Sequence, residues 1–442
     1  MKFNTTVRLA ALMGTMLVFG ACAGPSHMYK DSLHGYISAG NYQQTEDAIN
    51  AAKQKEYGKK NAVLYYLDLG MVQHDAGQYR DSDRSLAAAE DRMEELYTKS
   101  VSRALGTLII NDNTTEYAGE PFDRALTNVF RALDYVFLDD RENALVEARK
   151  VTEYLTELAA AGNGKSGYRD DAFAQYLSGM LFEDGGQRDD ARISYSAAQK
   201  AYSWYASDYK TPLPSFDINR SDYKDKGEVV VLHYNGIAPV KVSKTFQVAW
   251  DDAVAAVNTS GDAEADDARV KNALNAGMLG NAITVAYPEY TDQPFSIAGS
   301  EVWASSTVVP TRLMEDVSAI AKAQLDSKVA SQRLRMIARA TIKYIIAKSI
   351  EQEAEQNGGS TAGLLAKMVT SVTSAATEVA DTRCWATLPA QIRMARIMLP
   401  PGKTDIALVF RDASGAEIGR KIFAGVDVQA GKRTYLHYRT AN

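Results

Sequence analysis

Apolar residues recur at helical spacing through the first half of the chain and at strand spacing through much of the second. Phe122, Ala125, Leu126, Val129, Phe130, Leu133, Val136 and Phe137 follow i, i+3, i+4, i+7 spacing, which predicts one buried helix face. From 26 to 206 the only proline is Pro121, so helices are expected throughout that stretch. After Tyr209 the pattern changes: Pro212 and Pro214 stop the helices, and 207–227 reads as a linker. The β-branched run Glu228–Tyr234, closed by Asn235-Gly236, predicts a strand and a turn. Val240–Val248 and Ala282–Tyr287, the latter stopped by Pro288, predict two more strands. A long helix is expected from about Thr311 to Glu355, broken at Gly358-Gly359, with another over Leu364–Val379. Runs at Ile392–Leu399, Thr404–Phe410, Ile418–Val426 and Thr434–Tyr438 predict short strands separated by tight turns, as in a small antiparallel sheet or sandwich. The expected class is therefore α+β. A helical domain over 22–206 precedes a C-terminal antiparallel β domain over 228–442, with helices inserted at about 311–380.

The helical half repeats itself. Tyr66-x2-Leu69-Gly70 is followed by Gly77, Tyr79, Ser82, Leu86 and Ala89. The same ruler fits Tyr29, Leu33, Tyr36, Gly40, Tyr42, Ile49 and Ala52, and again Gly179, Phe182, Gly186, Ala191, Tyr195 and Ala198. A looser copy runs through Ala132, Tyr135, Asp139, Ala144 and Ala148. These offsets resemble the tetratricopeptide (TPR) pattern, which implies a TPR-like α-helical solenoid with a small residue at each helix crossing. The turn positions 40, 77, 139 and 186 are 37, 62 and 47 residues apart, so the array is irregular, with an extra element expected near 98–120.

The extreme N-terminus changes the picture of where the chain works. Lys2 and Arg8 precede an apolar run from Leu9 to Ala21, too short to span a bilayer of roughly 30 Å. That order marks residues 1–21 as a removable export signal. Gly20-Ala21-Cys22 resembles a bacterial lipobox, with Phe19 where Leu is usual, which implies lipid attachment at Cys22. Cleavage after Ala23 is the competing reading, since Ala21-Cys22-Ala23 also fits a small-x-small pattern. Ala23 in place of Asp implies the outer membrane, on its periplasmic face. Loss of Lys2 and Arg8 takes the formal net charge from −6 to −8, and an acidic chain without a long basic block is a poor binder of nucleic acid. With Cys22 lipidated, Cys384 is the only thiol left and no internal disulfide can form.

Three stretches carry a wider likeness. They are Glu116-Tyr117-Ala118-Gly119-Glu120-Pro121-Phe122-Asp123, Gly227–Leu232 through Asn235–Pro239, and Asp381-Thr382-Arg383-Cys384-Trp385 through Ala390 with Leu399-Pro400-Pro401-Gly402. In these the chain resembles a family of TPR-containing bacterial envelope lipoproteins, companions of lipoproteins that activate penicillin-binding proteins. The resemblance implies a role in envelope assembly and supplies no catalytic residue. Glu116, Glu120, Asp381, Arg383 and Trp385 are read as structural, an Asp–Arg pair beside a Trp pinning a helix exit onto a sheet.

Motifs for chemistry are sparse. Gly162-Asn163-Gly164-Lys165-Ser166 imitates the end of a P-loop, but Ala159 stands where the first glycine is needed and a helix precedes it. Asp262, Glu264, Asp266 and Asp267 lack the glycine and glutamate of an EF-hand and read as a solvated acidic loop. The histidines His27, His34, His74, His233 and His437 form no metal-ligand pair, and there is no GxSxG elbow. No metal and no cofactor is expected. Arg335, Arg339 and Lys343 read as a solvated face of a helix, and Ala362–Val379 as a buried helix rather than a membrane contact.

The leading expectation is a non-enzymatic, outer-membrane-anchored scaffold that holds a periplasmic protein partner in a TPR-like groove. Its concave surface is expected to carry Lys30, His34, His74, Asp75, Tyr176, Glu183 and Asp184. A glycan-binding or hydrolytic protein with an interdomain site is the alternative, to be recognised by two converging carboxylates. A subunit of an envelope ring or disk, a homo-oligomer joined through a sheet edge, is the third.

Overall fold

A computed structural model describes residues 24–103, 115–161, 168–216, 218, 223–260, 268–275, 282–377 and 380–442. Cys22, the P-loop-like 162–166, the acidic residues at 262–267 and the end of Ala362–Val379 lie outside the described residues. The chain is α+β.

Among the described residues eight α-helices come first, in four antiparallel pairs: α1 (His27–Ser38) with α2 (Tyr42–Ala52), α3 (Ala62–Asp75) with α4 (Tyr79–Arg103), α5 (Pro121–Phe137) with α6 (Arg141–Ala161), and α7 (Ala172–Asp184) with α8 (Arg188–Asp208). One turn geometry joins every pair. Gly40, Gly77, Asp139 and Gly186 all have φ between 57° and 76°, the left-handed region that glycine enters without a side-chain clash. Each donates its N–H to the carbonyl three residues back, and the next residue donates five residues back: Gly40 to Ile37 with Asn41 to Tyr36, Gly77 to His74 with Gln78 to Gln73, Asp139 to Val136 with Asp140 to Tyr135, and Gly186 to Glu183 with Gln187 to Phe182. These are four Schellman caps at the four positions marked by the repeat ruler. The crossings are close as well. A Cβ on Gly70 would stand 2.6 Å from Leu86 Cγ, and one on Gly179 would stand 2.8 Å from Tyr195 Cδ1.

The second half forms three sheets. The first runs β10 (Arg433–Thr440), β1 (Gly227–Asn235), β7 (Gln391–Leu399), β6 (Arg312–Asp316). The second runs β5 (Thr307–Pro310), β4 (Gly299–Ala304), β8 (Gly402–Arg411), β9 (Glu417–Val428), and β2 (Val240–Ala249) pairs with β3 (Ala282–Thr291). The first sheet is the middle layer of the molecule. Val229 and Val231 of β1, with Ala395 and Ile397 of β7, meet Val302, Ile406 and Leu408 of the second sheet. Val230, Leu232, Tyr234, Ile392 and Met394, on the opposite face, join a core that extends through all four helix pairs. Burial on both faces explains why β1 reads as an unbroken apolar run rather than an alternating one.

Several expectations need correction. The β domain is not wholly antiparallel, since β10 pairs with β1 in parallel, from Glu228 opposite Arg433 to Asn235 opposite Thr440. Some two hundred residues separate those strands, so no hairpin dictates their direction. Helix begins at Val317 rather than Thr311, because Arg312–Asp316 forms the edge strand β6 on β7. Helix α11 (Val317–Thr377) then continues without a break through Gly358-Gly359. Strand β3 runs past Pro288, which lies opposite Ser243 in a two-stranded sheet, where an edge strand spares the missing N–H. The helices and the first sheet also share one core, so their contacts are not local to the helical repeats. Beyond its first turns α11 meets a separate core with β2, β3, α9 (Trp250–Ser260) and α10 (Ala268–Asn275), through Ala338, Ile342 and Ile345. Among the described residues no helix is long and apolar enough to cross a membrane.

Candidate functional site

The expected groove residues lie where the helix pairs pack against the segment 381–390 and the first sheet. Lys30 is 2 % exposed, His34 7 % and His74 0 %, and the Asp75 side chain 1 %. The expectation that they present an open surface is thereby corrected. Their polar groups are used within the molecule.

Strand β10 engages Asp75, Glu183 and Asp184. Along a strand successive side chains point to opposite faces, and here the odd positions meet the helices while Leu436 and Tyr438 pack on the second sheet. Arg433 spends all five guanidinium N–H groups: Nε on Glu228 Oε2 (2.7 Å), Nη1 on Asp184 Oδ1 (2.5 Å) and the Met180 carbonyl (3.0 Å), Nη2 on Glu183 Oε2 (3.0 Å) and the Tyr223 hydroxyl (3.2 Å). Tyr435 donates to Asp184 Oδ2 at 2.9 Å. Arg396 on β7 holds the other oxygen of Glu228 and donates to the Tyr176 hydroxyl at 2.7 Å. Tyr176, Glu183 and Asp184 are thus brought together, around two internal arginines. Three carboxylates converge on Arg433, and its charge offsets the burial that raises Asp184.

Further along the strand His437, Tyr79, His74, Tyr234, Asp134, Asp75 and Arg439 form a buried polar cluster. His74 Nδ1 lies 2.6 Å from Asp134 Oδ1, and its Nε2 3.2 Å from the Tyr234 hydroxyl. Burial pushes His74 down to about 3 and raises Asp134 well above the carboxylate range. Burial disfavours the charge on both groups, so this contact is a hydrogen bond between partners pushed toward their neutral forms. Tyr79 donates to His437 Nε2 at 2.9 Å, and the His74 and His437 rings are 4.8 Å apart. Burial lifts Asp75 to about 7 against the pull of Arg439, whose Nη1 is 3.8 Å away.

The third stretch of the family likeness, 381–390, threads the same seam. Asp68 Oδ1 accepts from the Ala386 N–H (3.0 Å) and the Thr387 N–H (3.1 Å), and His34 Nε2 donates to the Ala386 carbonyl at 2.9 Å. Lys30 Nζ donates to the Thr382 carbonyl at 2.8 Å. Trp385 sits beneath Phe130, its indole N–H on Thr387 Oγ1 at 3.1 Å. Arg383 grips Asp381 with two parallel bonds of 2.8 and 2.7 Å and reaches the Thr115 carbonyl at 2.8 Å. That carbonyl precedes Glu116, which pairs with Arg92, and the capping box of α5. There Glu120 meets Lys241 Nζ at 2.5 Å, and although burial alone would raise it, Lys241 holds it below its usual value. All three stretches of the resemblance meet along this seam.

No family model, no curated protein and no solved structure matches the chain.

Two clefts open to solvent flank Arg433 and its carboxylates. A cleft of about 460 Å³ beside Arg396 is lined by Tyr176, Tyr195, Phe216 and Tyr223, with Glu183 at its edge. A second, of about 320 Å³, lies between the α5–α6 turn and the β9–β10 turn, with Asp139, Asp140 and Asp184 on its walls. Among the described residues no three His, Cys, Asp or Glu side chains are grouped to hold a metal ion. Arg335 is exposed, whereas Arg339 and Lys343 are half-buried beside the Ala338–Ile345 stripe. Sequence reasoning missed Arg433, Arg396, Glu228 and Arg439. The signal for two of them was the alternation Arg433-x-Tyr435-x-His437-x-Arg439, which sets both arginines, a tyrosine and the histidine on one strand face.

Proposed function

We propose that the protein is a non-enzymatic scaffold of the cell envelope, anchored to the periplasmic face of the outer membrane through Cys22, that mounts a protein partner on a rigid body. In this reading the four helix pairs are a TPR-like array whose peptide groove is filled in cis by β10. The observation that carries it is the pairing of every odd residue of β10 with the concave face: Arg433 with Glu183 and Asp184, Tyr435 with Asp184, His437 with Tyr79, and Arg439 with Asp75. TPR arrays hold extended segments with polar and aromatic groups of their inner helices, and the same residue types do so here. A partner then engages surfaces outside the groove.

Three measurements test this. Cys22→Ser is expected to release the protein from the membrane fraction or leave its precursor uncleaved; lipid-modified, membrane-bound mutant protein overturns the anchor. Photo-crosslinkers placed at exposed Ile193 and Ile422, which are 54 % and 56 % accessible, are expected to trap one envelope protein from one surface. The trapping should disappear when that surface is substituted. Hydrolysis of purified peptidoglycan, lost in Asp184→Asn, overturns the scaffold in favour of an enzyme. A second reading, a cell-wall glycan binder, is favoured by the aromatic cleft of Tyr176, Tyr195, Phe216 and Tyr223. Isothermal titration with soluble glycan fragments separates the two.

A further inference from the structure

The acidic chain carries one dense basic segment beside its anchor point, Lys53-Gln54-Lys55-Glu56-Tyr57-Gly58-Lys59-Lys60. It folds as a π-helical turn (Lys53–Tyr57) and a 3-10 turn (Lys59–Asn61) joined at Gly58, whose φ is +59°. π-helical turns are uncommon and concentrate at functional positions. This turn leaves Lys53, Lys55 and Lys59 exposed and Lys60 half-buried, with the Lys53 ammonium 4.4 Å from the Tyr65 ring centroid. The only acidic residue within it, Glu56, is engaged: its Oε2 accepts the N–H of Ser26 at 2.9 Å.

That bond fixes the turn to the point where the described chain begins. Tyr29 and Tyr57 strengthen the attachment, their rings 5.8 Å apart in edge contact. Cys22 lies four residues before Ser26. Four residues of chain reach at most about 14 Å even when fully extended. Ser26, to which the turn is bonded, is thus within one to two screening lengths of any surface that takes the lipid, the screening length being roughly 8–10 Å at physiological salt. Met28, on the first turn of α1, is 81 % exposed.

We propose that the turn 53–60 is a binding surface for the headgroups of an anionic phospholipid bilayer, and that it sets how the body stands on the membrane. The inference rests on the lipid-anchor reading of Cys22. Lipid attachment alone fixes a distance and leaves the body free to rotate. A cluster of lysines beside the anchor adds roughly fivefold in surface affinity per lysine. The remaining surface, with its net negative charge, is repelled by the same phosphates, so attraction and repulsion favour one orientation.

The test uses the full-length, lipid-modified protein reconstituted in vesicles of phosphatidylcholine alone or mixed with phosphatidylglycerol. Lysines are acetylated with an amine-reactive label and quantified by mass spectrometry. On the mixed vesicles, labelling of Lys53, Lys55 and Lys59 is expected to fall several-fold relative to neutral vesicles, and to recover in high salt. Exposed Lys200 and Lys403 are expected to label equally on both. The triple variant K53E/K55E/K59E should stay on the vesicles yet lose the difference in orientation, read as equal labelling of Lys60 on both vesicle types. Equal labelling of Lys53, Lys55 and Lys59 on both kinds of vesicle, with the protein bound to both, overturns the lipid-binding surface and leaves the anchor standing. Protein that stays with neither vesicle overturns the anchor and this inference with it.

Discussion

Arg433 is the residue on which the seam depends most, and Arg433→Met is the perturbation that shows it. Its side chain is 1 % exposed, and it donates to three carboxylates, one carbonyl and one hydroxyl. Met preserves much of the volume and removes every donor. Glu228, whose side chain is fully buried, keeps Arg396 as its only charged partner, while Glu183 and Asp184 are 27 % and 20 % exposed and are partly rehydrated. Breaking a buried ion pair from one side costs about 3–5 kcal/mol, because the partner's charge stays buried without compensation. Solvent access at Glu183 and Asp184 discounts their share, so the lower half of that range, about 3 kcal/mol, is expected. Arg433→Lys is expected to recover only part, since an ammonium offers three donors and no planar fork. Adding Glu228→Gln to Arg433→Met should cost less than the two single changes summed, as the stranded charge is gone. The assay is the urea midpoint followed by tryptophan fluorescence, with Trp385 buried in the seam. An Arg433→Met protein within about 0.5 kcal/mol of wild type, the range of an ordinary surface change, would falsify the clamp.

The close helix crossing at Gly179 gives a second measurement. A Cβ there comes within 2.8 and 2.9 Å of two ring carbons of Tyr195, whose hydroxyl is tied to Glu183, so Gly179→Leu should cost about 1–3 kcal/mol in urea midpoint. A variant that melts like wild type contradicts the crossing. The third concerns pH. His233 is wholly buried between Ser300 and Thr440, and burial lowers it from 6.5 to about 3. Its folded-state value is depressed, so the unfolded chain takes up the proton first. This histidine therefore removes stability as pH falls from about 6.5 toward 3, by about 1.4 kcal/mol per pH unit. Buried carboxyls such as Asp75, raised to about 7, act with the opposite sign between 3.8 and 7, so the contribution is read as a difference. Wild type should lose stability faster than His233→Gln on going from pH 6.5 to 5, and parallel curves contradict the assignment.

Local chemistry made much of the fold legible. Gly40, Gly77, Asp139 and Gly186 mark turns because a left-handed residue is needed after each first helix, and the capping hydrogen bonds fall at those four positions. The apolar run at 229–232 marks a strand because a strand buried on both faces has no reason to alternate. What stayed hidden depends on partners far along the chain. Arg312–Asp316 is short and charged, and it is a strand only because β7 offers it an edge. Leu313 and Met314 followed by Val317 and Ile320 fit helix spacing equally well, so local pattern extends α11 backwards over it.

The site shows the same limit in a sharper form. A helical ruler places Lys30, His34, His74, Asp75, Tyr176, Glu183 and Asp184 on one side of the helices, and every one of them is buried or half-buried. Their polarity invites the conclusion that the side faces water, which holds only while nothing polar in the same chain can match them. The match stands at the far end, where Arg433, Tyr435, His437 and Arg439 alternate with Thr434, Leu436 and Tyr438. Either pattern alone is ambiguous, an open polar groove in one case and a half-solvated edge strand in the other. Taken together they are complementary: carboxylates meet guanidinium groups, a tyrosine hydroxyl meets an imidazole, and seven residues of strand span the helices that carry the acids. Polar residues gathered on one side of a repeat region, and a strand whose polar face bears the opposite charges, are reason to dock the two on each other.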